Sequence, residues 1–466
     1  MSRRSSTSVG LANTEPFSDS GRKTFGGKHA WGLAAGLVAC AVVVAGSFNL
    51  TSPEPAHGAG PDDLVITSYG ATANDSTDDS AAVQAAVNAA QTGGGGVVWI
   101  PEGRFQINTT VVITGSNVTV EGTGAGSILY SPSAGGTVLK IGNTGTDDDT
   151  SKNGTKNNRV FNLAIDRSVA RSTSSIGILV ERAIYTDIDG VFVYNAGVGI
   201  VVGPNCGQCE LKIPNQFTNI RNTNILRSGS ILATNSATLV GISFRSGADH
   251  KLTSVFVEPG DRGVEMLGRS NGISVSQLTV VNGAPFNYGV VMAGTGFARI
   301  ITNSIFENAH HQQIYIAESS NNVTVADSWV GAGDLVSNRI GIQIDPGAAN
   351  VLIQGNRIGD QRSHGILSRG SSVSIVDNQL DGNVNSQQGS TKTLDSIQIE
   401  GGRDVTVSGN RVATGGGRCG IGLYNNGAAI LDDLIVTENN ITEVAGADPC
   451  VGAGIGANRI ISNNLG

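Results

Sequence analysis

From Gly177 onward one short phrase keeps returning, and it constrains the fold more than any other feature of the chain. Gly-Ile-Leu-Val begins at 177, Gly-Ile-Val-Val at 199, Gly-Ile-Ser-Phe at 241 and Gly-Val-Glu-Met at 263. Related phrases start at 289, 313, 341, 365, 396, 420 and 454. A period of roughly two dozen residues marks a solenoid, whose units bury their apolar sides only by stacking. A second phrase, Val-x-Ile-x-x-Asn-x-Ile, follows the first, as at Val351 to Ile358, Val373 to Leu380 and Val405 to Val412. Both phrases alternate with period two and are rich in β-branched residues, which is the pattern of strands. The expected fold is all-β: a single-stranded parallel β-helix, each coil running strand, turn, strand, polar corner, strand and loop.

The corner is expected at Asp189, Thr223, Thr253, Ser276, Asn303, Asp327, Asn356, Asn378, Asn410, Asn439 and Asn463. Such side chains bond backbone groups that a tight bend leaves unpaired, and Asn and Asp tolerate left-handed backbone. The chain has 65 Gly and 12 Pro in 466 residues. Without the period that glycine content would signal low complexity; with it, the glycines mark turns. Length alone would suggest several domains, but the repeat implies one elongated domain over 64–466.

Residues 1–30 are polar and basic, 31–50 are apolar and uncharged, and 51–63 read as a linker. A basic flank before an apolar run is an export signal, cleaved or retained as a membrane anchor through 31–50. The expected location is therefore secreted or attached to the cell surface. Asp78 to Gln91 reads as a helix. Asp78 and Asp79 stand at its start, and Ala82, Val83, Ala86, Val87 and Ala90 form an apolar stripe. Just before the first strands, it is expected to cap the open N-terminal end. The last coil has no equivalent, which leaves that end open to the 442–450 loop or to another copy of the chain.

Val65-Ile-Thr-Ser-Tyr-Gly-Ala71, Asp78-Asp79-Ser80 with Ala82 and Gln84, and Gly95-Gly-Val-Val-Trp-Ile-Pro-Glu-Gly103 resemble the opening of the pectate-lyase-like superfamily. The nearest subgroup is that of rhamnogalacturonase and epimerase-like domains. The resemblance implies a right-handed β-helix. Its members include polysaccharide lyases, glycoside hydrolases, sugar epimerases and phage tailspikes, so the motif leaves reaction type open. It also implies that substrate lies over the first sheet, between loops such as 228–238, 330–339, 360–364, 381–395 and 413–418.

In Gly-Ile-x-Ile-x strands the two x positions face outward. The first outward row reads Leu179, Val201, Ser243, Glu265, Val291, Tyr315, Gln343, Leu367, Gln398, Gly422. The second reads Glu181, Gly203, Arg245, Leu267, Ala293, Ala317, Asp345, Arg369, Glu400, Tyr424. Asp345, Arg369 and Glu400 are consecutive in the second row. At about 4.8 Å per coil the two carboxylates stand roughly 9.6 Å apart. Tyr315, Gln343, Gln398, Tyr424 and Glu265 are the expected substrate-binding residues around this catalytic trio. The spacing suits inverting glycoside hydrolysis without a cofactor, with a pectin-like or other uronate-containing polysaccharide as the expected substrate. The alternative is β-elimination from a uronate, with calcium on the carboxylates and Arg369 taking the proton. A third reading is a non-catalytic glycan-binding surface protein. Ser363-His364-Gly365-Ile366 partly resembles a polygalacturonase motif whose acidic partners are missing here. Glu307 with His310 and His311, and Asp147 to Asp149, are weaker candidates.

Five cysteines are present. Cys40 lies in the apolar run. In an exported chain the other four suit disulfides, Cys206 with Cys209 and Cys419 with Cys450; no metal site is expected of them. Net charge is −8, which argues against a nucleic-acid partner; an anionic polysaccharide would be repelled overall and would need a local arginine patch or calcium.

Overall fold

The computed structural model describes residues 63–143, 154–167, 174–203, 215–226, 240–281, 286–331, 339–383, 394–414, 418–425, 431–442 and 449–465 apart from 454 and 457. All belong to one unit, Pro53–Gly466. The basic segment, the apolar run and its linker, Cys40, Cys206, Cys209 and Asp147 to Asp149 lie outside them. Among the described residues no helix is long and apolar enough to cross a membrane.

The strands pair in parallel, each with its equivalent one coil away. Ile340–Ile344, Ala349–Gln354 and Arg357–Gly359 make one coil. They pair with Ile366–Ser368, Ser371–Val376 and Gln379–Asn383 of the next. Inward positions form one continuous core: Ile342, Ile344, Ile353, Ile358, Ile366 and Val373 are all fully buried. Each such side chain is worth about 1.5–3 kcal/mol relative to exposure, and only stacking hides it.

The glycine that opens most of the phrases, replaced by Gln313 and Ser396 in two, has a steric cause beyond turning the chain. A Cβ on Gly241 would lie 2.4 Å from Gly263 O, and one on Gly341 would lie 2.5 Å from Gly365 O. The backbone of the next coil leaves no room for a side chain there.

The N-terminal helix runs Ser80–Thr92, with Val83, Ala86, Val87 and Ala90 buried on the first coil. It begins two residues later than the acidic pair suggests. Asp79 does not cap it: its carboxylate accepts the N–H groups of Thr72 at 2.8 Å and Gln106 at 3.0 Å, tying the entry loop to a strand. Asp78 takes the Ser80 N–H instead, at 3.0 Å.

The corner ladder is real: Asn356, Asn378, Asn410 and Asn439 are members as expected, while other positions are displaced. It runs Ser304, Ser328, Asn356, Asn378, Asn410, Asn439 and Asn464. Asn378 Oδ1 accepts both the backbone N–H and Nδ2 of Asn356, and its own Nδ2 donates to Ile353 O at 2.9 Å. Asn303, Asp327 and Asn463 stand one residue earlier, at the left-handed bend. Asp189 closes the preceding strand, and Thr253 and Ser276 lie within strands, each just before a left-handed residue. Polar residues fill three successive positions, so period alone does not say which turns inward.

The last phrase is also displaced. Cys450, and not Gly456, pairs with Gly422. Cys450 is held there by its disulfide to Cys419, with Cα atoms 6.0 Å apart.

Candidate functional site

The first outward row follows the expected register step by step, from Leu179 opposite Val201 to Gln398 opposite Gly422. Its early members are apolar and hidden, with Val201 fully buried. From Ser243 onward the face turns mostly polar. The second row continues one residue past most of the strands, with Arg245 and Leu267 inside theirs. Asp345 N–H donates to Ile316 O, Arg369 N–H to Ile344 O and Glu400 N–H to Ser368 O, at 2.8–2.9 Å. Asp345, Arg369 and Glu400 thus occupy one row on three successive coils.

Their side chains divide into two groups. Tyr315 donates its hydroxyl to Asp345 Oδ2, and Gln343 Nε2 donates to Oδ1 at 2.7 Å. Gln312 Nε2 in turn holds Gln343 Oε1 at 2.8 Å. Arg369 does not stand between the carboxylates. It turns to Glu400 Oε2, with Nε at 2.7 Å and Nη2 at 2.6 Å, while Gln398 Nε2 donates to Oε1. Burial, then the bond to Asp345 and its charge, raise the Tyr315 phenol above its ordinary value, so Tyr315 stays a donor.

A third outward row, absent from the two-position reading, runs along the other edge of this sheet. Arg262, Tyr288 and Gln312 are in register there. Each immediately precedes the inward residue that opens its phrase, so the alternation of the strand turns it outward. Arg262 donates to Glu265 at 3.0 Å and lies against Asp261 at 3.2 Å. Glu265 also accepts Ser243 Oγ at 2.6 Å and is only 5% exposed. It therefore organises Arg262 and presents almost no surface of its own. The Tyr288 ring lies 5.8 Å from that of Tyr315 and 5.7 Å from that of His311.

Further along the edge is Asp395, fully buried. Arg418 grips it with two bonds, at 3.2 and 2.7 Å, and Cys419 N–H donates to it at 3.0 Å. Arg418 also lies over the Tyr424 ring at 4.2 Å. A Cβ on Gly422 would collide with Asp395 Oδ2, so the carboxylate reaches across the outward face. Buried His364 contacts Asp395 O through Nδ1 at 2.8 Å, and burial lowers its pKa. The sequence signal for these residues is their place just before the inward strand.

Glu307 and His311 do not meet. Glu307 accepts the Trp329 indole N–H at 2.8 Å, and the His311 ring lies tilted beside that of Tyr288. Among the described residues no three His, Cys, Asp or Glu side chains converge as metal ligands would.

Fold and face together define a right-handed β-helix with a polar, aromatic band along its first sheet. A model of the right-handed β-helix region matches residues 288–465. The chain belongs to the rhamnogalacturonase A/epimerase, pectate lyase-like family, whose model matches residues 65–311. No curated protein matches it. Among solved structures it is similar to tailspike protein 3 of bacteriophage CBA120, at 14% identity and TM-score 0.62, over 92% of this chain and 68% of that one. The tailspike of E. coli bacteriophage HK620, solved with a pentasaccharide, matches at 14% identity and TM-score 0.60, over 86% and 78%. The catalytic unit of a GH87 α-1,3-glucanase from Streptomyces thermodiastaticus matches at 14% identity and TM-score 0.50, over 89% and 72%. At such identities the likeness is one of fold.

Proposed function

We propose that this protein is an exported enzyme that hydrolyses glycosidic bonds of a polysaccharide, with Asp345 and Glu400 as its working carboxylates. The observation that carries the reading is their shared outward row, two coil steps apart. That spacing, roughly 9.6 Å, is near the upper end of the range that leaves room for a water opposite the leaving group. Arg369 fits Glu400 for the anionic role, the base that activates water. Asp345 accepts donors from Tyr315 and Gln343, which favour its carboxylate, so as the acid that protonates the leaving oxygen it takes up its proton once substrate displaces them. Family membership and the fold shared with a pentasaccharide-bound tailspike support a glycan partner.

Elimination is the second reading. It needs Arg369 as proton acceptor, yet that guanidinium has no lone pair to offer while its fork is committed to Glu400. The calcium it invokes would need carboxylates that converge, and Asp345 and Glu400 are separated by the coil of Arg369. A polysaccharide panel assayed for new reducing ends and for the ultraviolet absorbance of an unsaturated uronate tests both. Reducing ends alone mean hydrolysis and both signals mean elimination. Neither signal, with binding retained, means a glycan-binding surface protein.

A further inference from the structure

The third outward row supports an inference about the substrate, one that rests on the glycan reading above. Tyr288, His311 and Tyr315 bring three rings together from two adjacent coils. The Tyr288 and Tyr315 rings are inclined by only 28°. Both tyrosines are half-buried and His311 is exposed. Rings held this way present an apolar surface with polar tips, at little cost in side-chain freedom. The apolar C–H face of a sugar ring matches such a surface, while its hydroxyls reach outward to amides such as Gln312 and Gln343.

Charge narrows the sugar. Arg262, the arginine against this platform, has its cation 5.8 Å from the Tyr288 ring centroid. It is already paired with Asp261 and Glu265. The platform's other end touches Asp345 through the Tyr315 hydroxyl. A uronate placed here would meet a carboxylate at one end and an already neutralised arginine at the other. We infer that Tyr288, His311 and Tyr315 form a subsite for a neutral pyranose, directly beside Asp345.

Affinity electrophoresis tests this on the full chain. The gels contain galactan or a soluble glucan as neutral probes, and polygalacturonate or alginate as acidic ones. Wild type should be retarded by at least one neutral polymer. Tyr288→Ala should weaken that retention by about tenfold or more, Tyr288→Phe should keep it, and Asp345→Asn should keep it too. Unchanged thermal unfolding of Tyr288→Ala would show that the loss is local. Retention of Tyr288→Ala equal to wild type, retention by the polyuronates alone, or no retention of wild type would each overturn the subsite. Release of reducing ends is followed on the same polymers. Tyr288-dependent retention without new reducing ends would leave the subsite standing and sink hydrolysis. New reducing ends with an unchanged KM in Tyr288→Ala would do the reverse.

Discussion

Arg369 sets both Nε and Nη2 against one oxygen of Glu400, Oε2, at 2.7 and 2.6 Å. The other oxygen takes Gln398. Glu400→Gln keeps the shape and removes the charge that would activate water, so turnover should fall by about 10²–10⁴-fold. Both partners remain partly open to solvent, so stability should change by less than about 1 kcal/mol. Steady-state kinetics beside denaturant unfolding checks both numbers. An unchanged kcat would reduce the pair to a surface ion pair.

Asp345→Asn should lower kcat by a similar factor, about 10²–10⁴, with KM little altered. Tyr315→Phe acts through Asp345, and its effect should appear in kcat and in the alkaline limb of the pH profile, where the acid loses its proton. Burial and Asp345 hold the phenol above its usual value. A tyrosine ultraviolet titration should therefore be the same near pH 10 for wild type and Tyr315→Phe. A step missing from the variant there would contradict the geometry.

Asn378→Ala removes an amide that serves two coils. The N–H of Asn356 loses its acceptor, and Ile353 O loses its donor. With the site only 1% exposed, no water replaces them, and the cost should be about 2–4 kcal/mol. Urea unfolding would show it. A loss under about half a kilocalorie would mean that the ladder relaxes around the gap.

His250 links stability to pH. It is fully buried, and its Nδ1 accepts the Thr218 N–H at 3.3 Å. Burial depresses its pKa from 6.5 to about 4. The unfolded chain takes up this proton first. The contribution is therefore complete above about pH 6.5 and is lost as pH falls toward 4, amounting to about 3 kcal/mol. The slope of stability against pH in that window should shrink in His250→Gln. An identical slope would assign the acid sensitivity to other groups.

The bond between Cys419 and Cys450 closes 31 residues of separation, for which reduction should cost about 2–4 kcal/mol. Cys419 N–H also supports Asp395, which Arg418 grips. Reduction should therefore loosen the Arg418–Tyr424 stack as well, and proteolysis near 418–425 would report it. Non-reducing peptide maps of exported protein should show the 419–450 pair.

The phrase that returns from Gly177 determined the β-helix, and with it the register of the whole first outward row, Leu179 through Gly422. Inward apolar side chains can hide only on an equivalent neighbour, so period two within a strand and the coil period between strands leave one solution. Asp345, Arg369 and Glu400 were legible as a row for the same reason. What the period does not carry is how a side chain turns once it is outside. Arg369 could face either carboxylate, and only the packing of Gln398 and Glu400 sends it to one. The third row, Arg262, Tyr288 and Gln312, depends on how far each strand extends ahead of its first inward residue and on which rings of neighbouring coils meet there. The inward Asn of the corner depends on which of three polar neighbours takes the left-handed bend. Those choices are made by contacts between coils, and they came only with the tertiary structure.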